Sequence, residues 1–562
     1  MSVRDRTRRF HGLCDEMDWK PEFNVAAYLV DRNVLEARAR NTAIECGDER
    51  VSYGQLLERT NRAGNVLRLL GVSARERVVL LLSDTPEFLY CFFGAIKIGA
   101  VSVPLNTLLK PHEYEHLFNS TGARVAVVSD SLLPQLELIP RERLRYLKQI
   151  VVVARSSHPL LRLSDAMDAV SPELKAEPAG KGAPAFWLYS SGSTGSPKAC
   201  VHLHRDMVVC SERYAQGILR LNERDRCYSV ARLFFAYGLG NAGYFPLFSG
   251  ATTILSPARP TPASIYADIE RYRPTVFFSV PTNYAALLAY RRQDGREFDL
   301  SSIRLAVSAG EPLSALLFER FKRRFGIEIL DGLGSTETLQ TVISNRPGEV
   351  RPGSSGKIVP GYEARITDDS GCAVAPGEIG TLWIKGESVS IGYWNEQEKT
   401  EDTFQGPWFC TGDRYYQDRE GYFWHAGRAR DTFKVNGRWL SPLEVENSLI
   451  AHPAVQEAGV VGCEDEAGLV KPAAYVVLNP DFFPTDGLAR ELKEWVAQRI
   501  GGYKSPRWIK FVLELPKTDT GKLQRFKLRQ PLLDPDPSCE ESARKVSGGD
   551  RVRGPGTSTR TS

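Results

Sequence analysis

The strongest constraint on the fold is a repeated alternation of short β-branched runs with amphipathic ones. Arg77 to Leu82, Ala100 to Val103 and Arg124 to Val128 read as strands, and the stretches Pro86 to Ile98 and Pro111 to Asn119 between them read as helices. A strand that is apolar at successive positions must be covered on both faces, which a parallel sheet with crossover helices achieves. A second series of strands is expected at Pro274 to Val280, Arg304 to Ser308 and Ile327 to Leu330. The predicted class is α/β: a large N-terminal domain of several subdomains with parallel-rich sheets, followed by a small mobile α+β C-terminal domain.

A chain of 562 residues is too long for one hydrophobic core, and 42% apolar residues suffice to fill several. Lys and Arg number 72 against 68 Asp and Glu, a net charge of +4 that argues for neither nucleic acid nor membrane as a partner. The ten cysteines show no C-x-x-C and no zinc spacing, which fits a reducing, cytoplasmic setting. The basic N-terminus is interrupted by Asp5, Asp15, Glu16 and Asp18 and lacks an apolar run, unlike a signal or transit peptide. The expected organisation is an N-terminal extension (1–20), a large domain (21–427), a polar hinge (428–431), a C-terminal domain (432–530) and a disordered tail (535–562).

Ser190 to Lys198 concentrates hydroxyls, glycines and one cation directly after the apolar stretch Ala185 to Leu188. Ser191, Gly192, Ser193, Thr194 and Gly195 offer backbone and side-chain donors to an anion, and Lys198 offsets its charge. A Walker A loop needs G-x-x-x-x-G-K-[ST] opening a helix, whereas here Pro197 precedes the lysine and Ala199 follows it. Further motifs come in order: Ser308 to Pro312, Asp331 to Glu337, Thr411 to Asp413, Gly427 to Asp431, and Pro516 to Lys522. Two of these come straight after predicted strands, where open α/β sheets place their ligands.

In this order and at these separations the motifs resemble those of the adenylate-forming superfamily, which includes acyl- and aryl-CoA ligases, over roughly residues 20 to 530. The resemblance implies ATP, Mg²⁺ and coenzyme A as cofactor and co-substrates. It implies that Lys198, Thr194 and their loop hold the β- and γ-phosphates. Glu337 would position Mg²⁺ and Thr336 would reach the α-phosphate, although Ser or Thr followed by Glu is also a helix capping box. Gly310, Glu311 and Pro312 would line one side of adenine and Leu333, standing where many relatives carry an aromatic, the other, with Asp331, Gly332, Gly334 and Ser335 also in the nucleotide-binding set. Asp413 would accept the ribose hydroxyls with Arg428 beside it, or else Asp413 closes a tight turn. Lys522 would bridge carboxylate and nucleotide during adenylation. Rotation of the small domain would then bring Lys434 and Gly437 to the coenzyme A path.

Leu233 to Asn241 resembles the acyl-pocket motif of benzoate-CoA ligases, which implies that Phe235, Ala236, Tyr237 and Gly334 hold a flat aromatic acid. Thr338, Leu339 and Gln340 replace that subgroup's usual Met-Leu-His, so a ring bearing a hydroxyl or amino group, met by Gln340, is an alternative to plain benzoate. Loading of a carrier-protein phosphopantetheine arm is the enzyme alternative to free coenzyme A. A non-catalytic adenylate-binding protein is disfavoured because it has no need of both Lys198 and Lys522. The segment around Lys522 also resembles the lysine-acetylation site of related ligases, implying a lysine acetyltransferase as a partner, and a homodimer is left open. His202 and His204 lack a third ligand and read as structural.

Overall fold

The computed structural model describes residues 21–190, 197–428, 431–435, 438–465, 469–517 and 523–529. The chain separates into two units, one ending at Ala429 and one beginning at Arg430. In the first, Arg77–Leu81, Val101–Pro104, Val125–Ser129, Gln149–Val153 and Pro184–Ser190 form a parallel sheet, and Lys198–Leu203 joins its edge antiparallel to Pro184–Ser190. Val125–Ser129 is buried at every position, as a strand covered on both faces must be. The helix Pro86–Lys97 starts with proline at its first turn, where no N–H is needed, and is buried along almost its whole length. The helix Tyr53–Leu69 is capped by Ser52, whose Oγ accepts from the Gln55 N–H while Gln55 Oε1 accepts from the Ser52 N–H.

A nine-stranded sheet forms the second layer, with Arg226–Ser229, Thr252–Leu255, Val276–Ser279, Leu305–Ser308 and Ile329–Gly334 among its parallel strands. Ser279, Ser308 and Asp331 share one register across three neighbouring strands, at or near their carboxyl ends. A smaller antiparallel sheet follows, in which Trp408–Gln417 pairs with Gly380–Lys385 and with Phe423–Arg428.

The second unit has a hairpin, Phe433–Val435 with Arg438–Leu440, and a three-stranded sheet of Val455–Glu464, Val470–Leu478 and Trp508–Phe511. Helices Pro442–Ile450 and Asp486–Ile500 supply apolar side chains to a core with that sheet. Val460 and Val461 lie in the middle of the ten-residue strand Val455–Glu464.

The segment Asp331 to Gly334 departs from expectation: the sequence reads as a glycine-rich loop, yet the strand runs on to Gly334. Its far side is paired antiparallel with Thr341–Ser344, so the residues between, Ser335 to Gln340, are the turn of a hairpin. Glycine is needed for closeness here, not for a loop. A Cβ on Gly334 would stand 2.7 Å from the Gln340 carbonyl oxygen, and one on Gly332 would stand 2.8 Å from that of Ile343.

Candidate active site

Lys198 opens an edge strand, and Ser190 faces it across the ladder, so the two strands hold the ends of the phosphate-loop motif together. Ser191, Gly192, Ser193, Thr194 and Gly195 lie outside the described residues, as do Lys522 and Gly437. The other edge of the Lys198 strand is covered by the chain from Ser390 to Trp394: Trp394 N–H donates to the Ala199 carbonyl (2.9 Å) and Val201 N–H to that of Gly392 (3.0 Å). This pairing delivers Tyr393, which the sequence did not single out. Its hydroxyl donates to Glu337 Oε1 at 2.9 Å, and Lys198 Nζ lies 4.9 Å from its ring centroid. Lys198 and Glu337, 139 positions apart in the chain, thus meet on the two ends of one tyrosine.

The turn bearing Glu337 is held from several sides. Ser390 N–H donates to the Glu337 carbonyl (2.7 Å), and His202 Nε2 donates to the Thr336 carbonyl (2.8 Å). His202 is buried, stacked on Phe186, with Nδ1 2.9 Å from Asp206 Oδ2. His202 is structural, as its sequence context implied, and what it holds is the backbone of the turn bearing Thr336 and Glu337. The i, i+4 spacing of His202 and Asp206 was the available signal. His204 is structural: its Nδ1 accepts from the Val25 N–H, and burial pushes its pKa down to about 3.

The capping-box reading of Glu337 fails because residues 336–338 form a turn and no helix follows. Reciprocal bonds join Ser335 and Thr338 instead, with Ser335 N–H donating to Thr338 Oγ1 (3.0 Å) and Thr338 N–H to Ser335 Oγ (3.3 Å). Leu339 is fully buried with φ +69°, a left-handed conformation costly for a branched side chain. It turns the chain so that Gln340 points inward.

Gln340 is 3% exposed and its amide is saturated. Nε2 donates to the Tyr237 carbonyl (3.2 Å) and to Asn241 Oδ1 (3.3 Å), while Oε1 accepts from Thr341 N–H (3.0 Å) and Thr341 Oγ1 (3.2 Å). The expectation that Gln340 itself meets a ring substituent is corrected on this point: its donors and acceptors are engaged by Tyr237, Asn241 and Thr341. The Tyr237 hydroxyl donates to the carbonyls of Ser279 and Val307, each at 3.3 Å, under the ends of two parallel strands. Phe235 precedes the short helix Ala236–Leu239 and is 40% exposed, whereas Ala236 is 8% exposed.

Gly310 follows the strand Leu305–Ser308 with φ +87°, and beyond it Glu311 accepts from Thr282 Oγ1 at 2.8 Å. Leu333 packs at the margin of the main core opposite Ile343. Asp331 is buried, with the Leu313 N–H 3.4 Å from Oδ2 and no partner on Oδ1 among the described residues. Burial raises its pKa to about 8.

Asp413 lies within a strand, so it closes no tight turn. Antiparallel register sets it directly across from Arg428, with Arg428 Nη1 3.0 Å from Oδ1, and His425 Nε2 lies 3.5 Å from the same oxygen. Asp413 is nearly buried while the Arg428 side chain is 55% exposed, so the pair presents a fixed carboxylate beside a reachable guanidinium. In the second unit the Lys434 ammonium lies 4.8 Å from the Trp439 ring centroid.

Glu337 fits a Mg²⁺ site of one kind only. Its carboxylate is a hard oxygen donor with one oxygen held by Tyr393, and the described residues contain no cluster of three or more His, Cys, Asp or Glu able to cage a metal. An ion here would take one protein carboxylate and complete its shell with phosphate oxygens and water, the donor set that suits Mg²⁺.

This arrangement of sheets and motifs is that of adenylate-forming enzymes, and the chain belongs to the AMP-binding enzyme family. That family matches residues 30–394, and the AMP-binding enzyme C-terminal domain matches residues 444–522. The chain is 44% identical over 513 residues to a benzoate–CoA ligase of Thauera aromatica, covering 90% of this chain and 96% of that one. Among solved structures it is similar to an anthranilate CoA ligase in complex with anthranoyl-AMP (42% identity, TM-score 0.84, 94% and 98% of the two chains). It is also similar to a benzoate CoA ligase from Burkholderia xenovorans LB400 (43% identity, TM-score 0.80, 90% and 100%). No described helix is long and apolar enough to cross a membrane.

Proposed function

We propose that this chain is an AMP-forming aryl-CoA ligase, which joins an aromatic carboxylic acid to coenzyme A at the expense of ATP through an enzyme-bound acyl-adenylate. One observation carries the reading: a single hairpin turn bears Glu337, tied through Tyr393 to Lys198, and three residues later Gln340, tied to the aromatic pocket residue Tyr237. Phosphate chemistry and an aromatic wall are thus set by one short segment, which suits a reaction between an aryl carboxylate and a nucleotide. The relatives at 42–44% identity, named for benzoate and anthranilate, support the same class of acid.

In the first step a carboxylate oxygen attacks the α-phosphorus and the bond to the departing pyrophosphate breaks. Two anions must approach, so charge neutralisation is the main demand. Lys198 meets it at the β- and γ-phosphates, Thr336 lies toward the α-phosphate, and Asp413 with Arg428 fixes the ribose. Gly310, Glu311, Pro312 and Leu333 bound the adenine. Bound Mg²⁺, held by Glu337, would supply Lewis-acid stabilisation of the phosphate charge. Lys522 is assigned to the acyl carboxylate in this step. In the second step the coenzyme A thiol attacks the acyl carbon and AMP leaves, with Lys434 and Gly437 assigned to its approach.

The test is coenzyme A-dependent AMP formation across benzoate, hydroxybenzoates, anthranilate, heteroaromatic acids, acetate and octanoate. Turnover of an aromatic acid well above the aliphatic ones is expected. Preference for acetate or octanoate over every aromatic acid would refute the aryl assignment, and adenylate formation without thioester would refute the ligase.

A further inference from the structure

We propose that Tyr393 is a positioning residue which holds the Glu337 carboxylate and the Lys198 ammonium apart and aimed, so that each is free for the nucleotide rather than for the other. The proposal rests on the roles given above to Glu337 and Lys198.

An ammonium and a carboxylate gathered at a half-buried site attract one another strongly, because little water screens them. Left alone they would pair, and that pair would have to break before phosphates or a metal could engage either group. Among the described residues no ion pair joins them, and the tyrosine stands between. Its ring face takes the cation through the ring quadrupole, an attraction that leaves all three ammonium hydrogens available to phosphate oxygens. Its hydroxyl donates to Oε1 of Glu337 and leaves Oε2 for a cation.

Tyr393 is built to stay in place. It is 8% exposed, its N–H donates to Thr400 Oγ1 (3.1 Å), Phe404 meets its ring edge-on at 5.5 Å, and its neighbours are zipped to the strand that begins with Lys198. A shift of that strand therefore carries the lysine and the tyrosine together, and the turn bearing Glu337 is fixed to the same segment through Ser390.

The experiment separates the two ends of the tyrosine. Tyr393→Phe keeps the ring and removes the hydroxyl; Tyr393→Leu removes both. The rate of acid-dependent pyrophosphate release is measured against free Mg²⁺, and ATP binding is measured by calorimetry with Mg²⁺ and with EDTA. Tyr393→Phe is expected to raise the half-saturating Mg²⁺ about tenfold, the value of one hydrogen bond to a charged group. The acid KM and ATP binding in EDTA should stay within about twofold. Tyr393→Leu is expected to weaken ATP binding in EDTA as well, because the Lys198 ammonium loses its seat. In the Glu337→Gln background, adding Tyr393→Phe should change the Mg²⁺ requirement no further. An unchanged Mg²⁺ requirement in Tyr393→Phe, or an equal effect with and without Glu337→Gln, overturns the proposal while leaving the ligase reading standing. If Glu337→Gln itself leaves the Mg²⁺ requirement unchanged, the metal role of Glu337 falls and the proposal with it.

Discussion

Replacing Asp331 by asparagine is expected to stabilise the protein, by an amount that grows with pH. The side chain is buried, one of its oxygens has no partner among the described residues, and its pKa rises from an ordinary 3.8 to about 8. Below 3.8 the carboxyl is protonated in the folded and unfolded chain alike, and its full contribution to stability is present. Above that the unfolded chain ionises while the folded one does not, so stability falls by about 1.4 kcal/mol per pH unit until the folded group ionises near pH 8. Asparagine has nearly the same shape and no proton to lose, so it removes this penalty. Its advantage over the wild type should be small near pH 4 and reach about 5 kcal/mol at pH 8. Urea unfolding of both proteins at pH 5, 6, 7 and 8, followed through the transition of the larger unit, measures the difference. A gap that does not change with pH, or a variant less stable than wild type at pH 8, would refute the assignment of a buried neutral carboxyl.

Three further outcomes are expected. Asp413→Asn should weaken ATP binding by about tenfold or more, the loss of a charge-assisted contact, while leaving the acid KM unchanged; calorimetry with ATP alone decides it. Gly334→Ala places a methyl 2.7 Å from the Gln340 carbonyl oxygen and 2.9 Å from the Thr341 nitrogen, both backbone atoms. That should cost about 1–3 kcal/mol and lower kcat, and an unchanged melting temperature with full activity would contradict a tightly closed hairpin. Gln340→Leu preserves volume but strips partners from Tyr237, Asn241 and Thr341. It should redistribute kcat/KM among benzoate, 4-hydroxybenzoate and anthranilate; an equal drop for all three would mean that the residue does not shape selectivity.

The parallel strands and their helices were readable because burial on both faces forces unbroken apolar runs, as in Val125 to Ser129. Asp331 to Gly334 was misread because glycine signals a turn in local statistics, whereas here it answers the close approach of Gln340 and Thr341 across the ladder. Local sequence holds no trace of that approach. Asp413 and Arg428 were set side by side by the family resemblance of their motifs, and the cross-strand register supplies the physical reason. Tyr393 was invisible: it sits 56 positions past Glu337 in Ile391 to Trp394, which has no chemical signature of its own. It matters only because its backbone is stitched to Ala199 and Val201.

The short turn between Gly334 and Thr341 ties what the enzyme accepts to how it reacts. Glu337 and Gln340 stand three residues apart in a turn whose far end is pressed against Gly334, so a change at position 340 bears on the backbone that carries Glu337. On the roles proposed above, a lineage acquiring a new acid by drift at position 340 would disturb the carboxylate of Glu337 in the same step. Phe235, proposed above for the acid pocket, carries no such burden: it is 40% exposed, and among the described residues its ring meets that of Phe234. Diversification of ring preference, in nature or in the laboratory, has its open route there.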